Sequence, residues 1–316
     1  MSERMEDRIM RTIRIGSRES RLAVVQSELV QRYLQEQGID APIITMKTTG
    51  DKILDRTLDQ VGGKGLFVKE LDAALLDGRS DISVHSLKDV PAEENPRLPL
   101  IGYSDREDPR DVLVLPEGET KLNEKLPIGC SSRRRVLQAQ KLYPRMGFRS
   151  VRGNVLTRLK KLDDGEYSAL ILAAAGLKRL GLADRISRYF TTEEIIPCAG
   201  QGVLALQGRK GFDCAILNGY VNKESEIVVK CERSFIRAVG GECSSPVAAH
   251  AVIQEGELFL RAMYSKGTGE MGYVTGERKG PVHDPSGVAK ALAQQLMEQF
   301  EQEKGWKERD GIKKIR

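Results

Sequence analysis

The stretch from residue 62 to residue 91 joins a predicted helix, a predicted strand and a charged loop, and it restricts the fold more than any other part of the chain. Apolar residues recur at helical spacing over 67–75, and those over 82–84 alternate with a polar residue as in a strand. The strand ends in a loop that contains Lys88 and Asp89. Because ligands of open α/β sheets bind where strands end, this loop is a candidate site. A surface ion pair of little energetic value is the alternative.

Three further turns combine arginine and serine side chains with the start of a predicted helix. Backbone N–H groups at a helix N-terminus bind anions, and guanidinium groups match carboxylates and phosphates. In the second turn, adjacent arginines at the positive end of the helix dipole repel each other unless an anion compensates them, which favours binding over a solvated charge run. For the first turn, an ordinary N-cap and a surface arginine are slightly favoured on the residues alone. In the third turn, the six-residue spacing either brings both arginines toward one cleft or has no significance. The turns contain Arg18 and Ser20; Ser131, Ser132, Arg134 and Arg135; and Arg152 and Arg158.

The bulk composition limits the class of protein. At 316 residues, the chain is long enough for two or three domains, each with its own core. The sequence has no apolar run of membrane-spanning length and no signal-peptide core, so we expect a cytoplasmic protein without a membrane partner. Five cysteines without paired spacing and three histidines predict neither a disulfide framework nor a metal centre. The net charge of +5 admits a nucleic-acid partner, but 5% aromatic residues and singly placed arginines favour small anions instead.

Two segments, GGKGLFVKELDAAL and DISVHSLKDVP, closely resemble the porphobilinogen deaminase (hydroxymethylbilane synthase) family. The resemblance extends from about Ile13 to about Leu296, which is nearly the whole chain. It implies an α/β fold with two lobes similar to periplasmic binding proteins and a small C-terminal α+β domain. By resemblance, the N-terminal lobe carries the catalytic aspartate loop and the C-terminal domain carries the cofactor cysteine. The expected domains are residues 1–105 plus about 203–222, residues 106–202, and residues 223–316.

Within the C-terminal domain, alternating short runs and tight turns predict an antiparallel meander over residues 247–283. A final helix is expected from Pro285 to about Phe300. The tail from about residue 301 is nearly all charged, which predicts disorder. Between the first two strands and the Gly-rich turn, residues 51–65 are expected to form a surface loop, either a lid or a plain connection.

By resemblance, the chain is a transferase of porphyrin and heme biosynthesis. It is expected to join four porphobilinogen molecules head to tail into the linear tetrapyrrole hydroxymethylbilane, with release of ammonia. The family's cofactor is one covalent dipyrromethane per chain, which primes the growing product and is attached by a thioether to the loop cysteine, here Cys243. The aspartate of the H-S-L-K-D-V-P loop, here Asp89, is implied to be the catalytic acid and base. The expected state is a monomer.

The family's carboxylate-binding motifs assign the remaining site residues. On the residues alone, Arg179 reads as a basic helix residue facing water and Cys243 as an ordinary loop cysteine. The implied cofactor-binding residues are Cys243, Lys88, Ser131, Ser132, Arg134, Arg135 and Arg158. The implied substrate-binding residues are Arg18, Ser20, Arg152, Arg158, Arg179 and Gln201. The chain departs from the family pattern at Arg21, Cys130, Arg133, Gln207, Gly208 and Glu242.

Two other classes of function remain open on the residues alone. A bilobal small-anion binding protein would use the same arginine turns without catalysis, and it would bind its ligand reversibly with no covalent adduct. A nucleic-acid binder would show steeply salt-dependent retention on polyanions. Neither class accounts for the presence of both the Asp89 loop and the Cys243 loop.

Overall fold

The computed structural model describes residues 12–52, 65, 67–241, 245–266 and 272–313, with side chains described in these ranges except at 51, 52 and 304–313. The described residues form two five-stranded sheets and one three-stranded sheet, with helices packed around them. Most of the predicted loop at 51–65 lies outside the described residues, so its prediction as a lid or a connection is not tested.

The first sheet contains the strand that leads to the Asp89 loop. Its strands are β1 (Ile15–Arg18), β2 (Ile43–Met46), β3 (Ile82–Ser86), β4 (Leu100–Tyr103) and β10 (Leu204–Gly208). The helices of this part are α1 (Arg21–Glu36), α2 (Thr49–Lys52) and α3 (Lys69–Leu76). The strand order is β2-β1-β3-β10-β4, with β1 parallel to β2 and β3, and β10 antiparallel to β3 and β4. Its core includes Ile15, Leu34 and Leu206, which are fully buried.

The second sheet repeats this arrangement. Its strands are β5 (Asp111–Val114), β6 (Ile128–Gly129), β7 (Phe148–Arg149), β8 (Ala169–Ala173) and β9 (Arg188–Tyr189). Its helices are α4 (Arg133–Leu142), α5 (Val155–Asp163) and α6 (Ala174–Arg179). In the order β7-β6-β8-β5-β9, β6 is parallel to β7 and β8, and β5 is antiparallel to β8 and β9. Two lobes of matching topology therefore exist, although no repeat is visible in the residues.

Two segments cross between the lobes, one between β4 and β5 and the other between β9 and β10. The second is needed because β10 returns the chain to the first sheet after the second sheet is complete. The two segments are hydrogen-bonded to each other: the Glu107 amide donates to the Gly202 carbonyl at 3.1 Å, and the Leu204 amide donates to Ser104 Oγ at 3.0 Å. Gly202 has a φ of +91°, and a Cβ on it would lie 2.1 Å from the Glu107 carbonyl oxygen. Only glycine allows this close approach of the two crossing segments.

The C-terminal domain is an antiparallel meander flanked by two helices. Its elements are α7 (Lys223–Ala238), β11 (Ala248–Gln254), β12 (Glu257–Tyr264), β13 (Val274–Pro281) and α8 (Pro285–Lys313), together with the order β11-β12-β13. Its core joins Phe235, Leu260 and Leu292 to Leu87 and Val90 of the first lobe. The domain therefore packs against the loop that follows β3.

One prediction for this domain is wrong. The tail from residue 301 was expected to be disordered, but α8 continues without a break to Lys313. Glutamate, glutamine and lysine dominate this segment and have high helix propensity, so they extend a helix whose preceding turns are already packed. The strands of each sheet fall within the three expected domains, whose boundaries stay a prediction. Among the described helices, none combines the length and apolarity needed to cross a membrane.

Candidate active site

The loop that carries Asp89 is held on both sides by buried backbone contacts. β3 passes directly into a 3-10 turn, Leu87–Asp89, in which Leu87 is buried and Asp89 is half-buried. The Leu87 amide donates to the Val203 carbonyl at 3.0 Å, and the Val90 amide donates to the Leu87 carbonyl at 3.0 Å. Beyond the turn, Arg233 of α7 donates to the Val90 carbonyl at 3.2 Å. The Asp89 carboxylate is therefore presented on a backbone fixed by the lobe crossing and by the C-terminal domain.

His85 lies beneath this loop and is neutral. Its Nε2 is 2.9 Å from Gln207 Oε1, and Gln207 Nε2 donates to the Leu98 carbonyl at 3.0 Å, so the imidazole donates and the amide oxygen accepts. Burial lowers the pKa of His85 to about 4, despite the hydrogen bond to Gln207. The departure at Gln207 thus leaves an uncharged pair where a glutamate would place a negative charge beside the ring.

Arg134 and Arg135, at the start of α4, share one buried carboxylate. Arg134 Nη1 donates to Asp111 Oδ2 at 2.7 Å and to the Ile196 carbonyl at 2.6 Å. Arg135 Nε donates to Asp111 Oδ1 at 2.9 Å, and Gln201 Nε2 donates to the same oxygen at 2.9 Å. Burial alone would raise the pKa of Asp111, but the two arginine charges outweigh it and lower that pKa to about 2. The carboxylate is therefore ionised across the whole physiological range.

Lys88 and Arg158 belong to the same group of positive charges as Arg135. Burial, together with the charges of Arg135 and Arg152, lowers the pKa of Arg158 to about 10. Burial and the charge of Arg135 also lower the pKa of Lys88. Asp89 acts on both cations in the opposite direction, which places its carboxylate near them. Positive charges this close to one another favour a bound anion, which removes part of their repulsion.

In the first predicted turn, Ser20 is an N-cap and Arg18 contacts an aromatic ring. β1 ends at Arg18, whose guanidinium lies 4.2 Å from the centre of the Phe67 ring. Ser20 is the N-cap of α1, and its hydroxyl accepts from the Ala23 amide at 3.4 Å. Because β1 and β3 are parallel, this turn and the Asp89 loop lie at the same edge of the first sheet, and the charge of Arg18 acts on buried His85.

Arg179 and Gln201 lie at the lobe crossing. Arg179 Nη2 donates to the Gly202 carbonyl at 2.5 Å, and burial lowers the pKa of Arg179. Gln201 Nε2 donates to the Pro109 carbonyl at 2.6 Å, while its Oε1 accepts from Arg135 Nη2 at 3.3 Å. Both side chains thus bind the crossing segments, and Gln201 also reaches the arginine cluster.

The serines of the second turn differ in their contacts. Ser131 Oγ donates to the Val151 carbonyl at 2.5 Å, which ties the turn to the third predicted arginine turn. Ser132 occupies the N-cap position of α4 without a side-chain capping bond. Cys130 is buried, and its thiol donates weakly to the Ser132 carbonyl at 3.7 Å. Burial raises the pKa of this thiol, which therefore stays protonated. Cys243 lies outside the described residues, so its predicted role is not tested.

Sequence reasoning missed Asp111 and Cys198. An aspartate that opens an apolar strand is a recognisable signal, because aspartate is almost never fully buried unless it is paired. Cys198 had no such signal; its thiol lies near Lys88, Asp89 and Arg134, and burial raises its pKa. Within the described part of the chain, no cluster of three or more histidine, cysteine or acidic side chains could hold a metal ion.

The donors gathered here suit an organic polyanion. The charges of Arg135 and Arg152 lower the pKa of Arg158, and the charge of Arg135 lowers that of Lys88, in each case after burial. Bidentate guanidiniums match carboxylates. A dipyrromethane, whose two rings each bear an acetate and a propionate, presents carboxylates of this kind. The residues that are described therefore fit the cofactor implied by the sequence, while its attachment point is not among them.

Family profiles match both parts of the chain. The profile described as "Porphobilinogen deaminase, dipyromethane cofactor binding domain" matches residues 13–216, and "Porphobilinogen deaminase, C-terminal domain" matches residues 227–298. A protein named porphobilinogen deaminase from Ruminiclostridium cellulolyticum is 54% identical over 278 residues, covering 86% of this chain and 94% of that protein. Another of that name from Thiobacillus denitrificans is 43% identical over 297 residues, covering 92% and 96% respectively.

Among solved structures, the methionine-binding protein MetQ aligns with 66% of this chain and 87% of its own, at a TM-score of 0.41 and 13% identity. A likeness this distant says nothing about ligands, and the two-lobed α/β architecture with its small C-terminal domain rests on the sheets described above. The profiles and relatives, in contrast, span almost the whole sequence at high identity. The chain belongs to the porphobilinogen deaminase family.

Proposed function

We propose that this chain polymerises four porphobilinogen molecules into hydroxymethylbilane, with Asp89 as its catalytic carboxylate and Cys243 as the attachment point of a dipyrromethane primer. The observation that carries the site assignment is the meeting of one anchored carboxylate with the cations of buried Arg135 and half-buried Lys88 and Arg158, which lie close enough for their charges to repel. Each pyrrole ring of substrate and product brings two carboxylates, so a growing chain needs many cationic partners. A pocket for one small neutral ligand would need none of them.

We assign the proton transfers of the reaction to Asp89. Loss of ammonia from porphobilinogen needs a proton on the amine nitrogen and leaves a cationic azafulvene on the substrate. A carboxylate held on a fixed backbone can assist that departure, stabilise the cation, and take up the proton released when the new carbon–carbon bond restores the pyrrole. The bound dipyrromethane supplies the primer to which the first substrate unit is joined, and it is not consumed.

The basic residues divide into two proposed groups. The cofactor group holds the primer's carboxylates close to the Asp89 loop, and the substrate group receives the incoming ring. Arg158 is assigned to both groups, because the charges of Arg135 and of Arg152 both act on it. Its Nε donates to the Gly153 carbonyl at 2.8 Å, which fixes the side chain. The cofactor group is Lys88, Ser131, Ser132, Arg134, Arg135 and Arg158. The substrate group is Arg18, Ser20, Arg152, Arg158, Arg179 and Gln201.

The test of Asp89 is the isosteric substitution Asp89→Asn. The variant is expected to acquire the primer, seen as added mass on the denatured chain, and to lose turnover by roughly 10²- to 10⁴-fold, because the amide cannot transfer the proton. Asp77→Asn is the matched control, since Asp77 is exposed at the end of α3, 3.5 Å from Arg79. Turnover of Asp89→Asn within a few-fold of that control would remove Asp89 from the mechanism.

A small-anion binding protein without catalysis is the competing function, and the same preparation separates the two. It predicts that ligand is lost on denaturation and that supplied porphobilinogen is not consumed. Cytoplasmic location and a monomeric state stay predictions of the sequence. Gel filtration with light scattering decides the second of these.

A further inference from the structure

Asp111 of β5 binds side chains from two other segments, Arg134 and Arg135 of α4 and Gln201 of the lobe crossing. Its carboxylate, at the start of β5, is fully buried and lies within 3 Å of donors from Arg134, Arg135 and Gln201. Arg135 is further held by the Ile171 carbonyl of β8, which accepts from its Nη1 at 3.3 Å. The guanidinium of Arg135 is therefore oriented by two strands and one crossing segment before any ligand arrives.

The N–H donors of Arg135 are mostly engaged by these contacts. Arginine has five N–H donors. Within the described residues, Arg135 directs Nε to Asp111, Nη2 to Asp111 and Gln201, and one Nη1 hydrogen to Ile171. Among the contacts of the described residues, one N–H on Nη1 has no acceptor and can therefore bind a ligand carboxylate. A side chain locked in this way loses little further freedom on binding, which favours affinity.

We propose that Asp111 is a positioning residue for anion binding: its carboxylate fixes the direction in which Arg135 meets the carboxylates of the primer and growing chain. This inference rests on the proposed function and assigns a role to a residue outside the predicted site. Asp111 does not touch the ligand. It acts through Arg135, and through Gln201 it ties that arginine to the Pro109 carbonyl of the lobe crossing.

Charge and geometry predict opposite effects for the loss of this carboxylate. Asp111 cancels one positive charge beside Arg134, Arg135 and Lys88, so its neutralisation makes the pocket more positive. If net charge controlled binding, Asp111→Asn would bind anionic substrate more tightly. If Asp111 orients Arg135, the variant binds more weakly despite the added positive charge. The amide keeps only one acceptor oxygen for the donors of Arg134, Arg135 and Gln201, so its NH₂ group must face at least one of these donors.

The experiment compares Asp111→Asn with a control carboxylate of the same kind. Asp81 is also shared by two arginines, Arg14 at 2.9 Å and Arg209 at 3.0 Å, but lies at the opposite end of β3 from the Asp89 loop. Both variants are expected to lose thermal stability. Only Asp111→Asn is expected to show a lower fraction of chains with primer mass and a roughly tenfold higher KM for porphobilinogen, with kcat per loaded chain changed less than about threefold.

A primer-loaded fraction and KM equal to those of Asp81→Asn, or a lowered KM, would overturn the proposal. If Asp111→Asn does not fold, the double variant Asp111→Asn/Arg134→Met removes both members of the buried pair and is compared with Arg134→Met alone. The same rise in KM is expected between those two, and no rise overturns the proposal. Failure of the proposed function is distinct, because then the unsubstituted chain itself would carry no primer mass and consume no porphobilinogen.

Discussion

Glu232 of α7 is expected to be the most costly single charge to remove from the junction of the three domains. It is fully buried, and its Oε2 accepts from the Gly200 amide at 2.7 Å. Its Oε1 accepts from the Ala251 amide at 2.8 Å and lies 2.9 Å from Arg106 Nη1. Although burial would raise the pKa of Glu232, the charge of Arg106 keeps it below its usual value. One carboxylate thus joins α7, β11 and both crossing segments.

The substitution Glu232→Gln keeps the shape and removes the charge. Arg106, whose side chain is 13% exposed, then loses this counter-charge, and breaking a largely buried pair in this way costs about 3–5 kcal/mol. The amide also has only one acceptor oxygen, so its NH₂ group must face the N–H of either Gly200 or Ala251. For a protein of this size we expect the first thermal transition to fall by roughly 6 °C or more.

The measurement is thermal unfolding followed by circular dichroism at pH 7. The control is Glu226→Gln on the same helix, where an exposed pair with Lys230 contributes well under about 1 kcal/mol. That variant is expected to unfold within about 2 °C of the unsubstituted chain. If Glu232→Gln unfolds in the same range as the control, the buried carboxylate does not hold the junction together and the reasoning fails.

Three further predictions follow from single contacts. Gly202→Ala is expected to unfold several degrees below the control Gly211→Ala. Both positions have positive φ, but only a Cβ at Gly202 meets a carbonyl oxygen, at 2.1 Å. Equal transition temperatures would contradict the close approach of the crossing segments. Burial lowers the pKa of His85 to about 4, so between pH 6.5 and pH 4 the folded state binds fewer protons than the unfolded state. As the pH falls through this range, the free energy of unfolding is expected to decrease by on the order of 3 kcal/mol. Urea titrations should show a shallower pH dependence for His85→Asn, and an unchanged slope would exclude the buried imidazole as its source. Cys130→Thr is expected to leave kcat and KM within about twofold, because the buried thiol makes only one weak described contact; a larger change would give that thiol a role in the pocket.

The helices that begin at serine-containing turns could be predicted closely from the sequence. The expected helix after Ser20 is α1, and the expected helix after Ser132 is α4. Local signals are sufficient there, because a capping side chain and apolar spacing act within one or two turns of the chain. The same local signals misjudged the tail after residue 301, where charge suggested disorder and helix propensity extended α8.

The pairing of Asp111 with Arg134 and Arg135 could not be predicted. These residues are more than 20 positions apart. They meet because β8 pairs with β5, which starts at Asp111, and with β6, which precedes α4, a register set by the packed sheet. For the same reason, the sequence could assign Arg179 to carboxylate binding but could not place it against the Gly202 carbonyl. Arginine-rich turns identify candidate ligands of an anion, whereas the tertiary structure decides which guanidiniums are already engaged.

The mass of the intact, denatured chain tests the central claim most directly. The account predicts a mass above that of the 316 residues by two porphobilinogen units less two ammonia molecules, and the bare sequence mass for Cys243→Ala. An adduct that persists in Cys243→Ala would move the attachment to another thiol, such as Cys130. An unsubstituted chain that has only its sequence mass, and gains no pyrrolic adduct when supplied with porphobilinogen, would contradict the account.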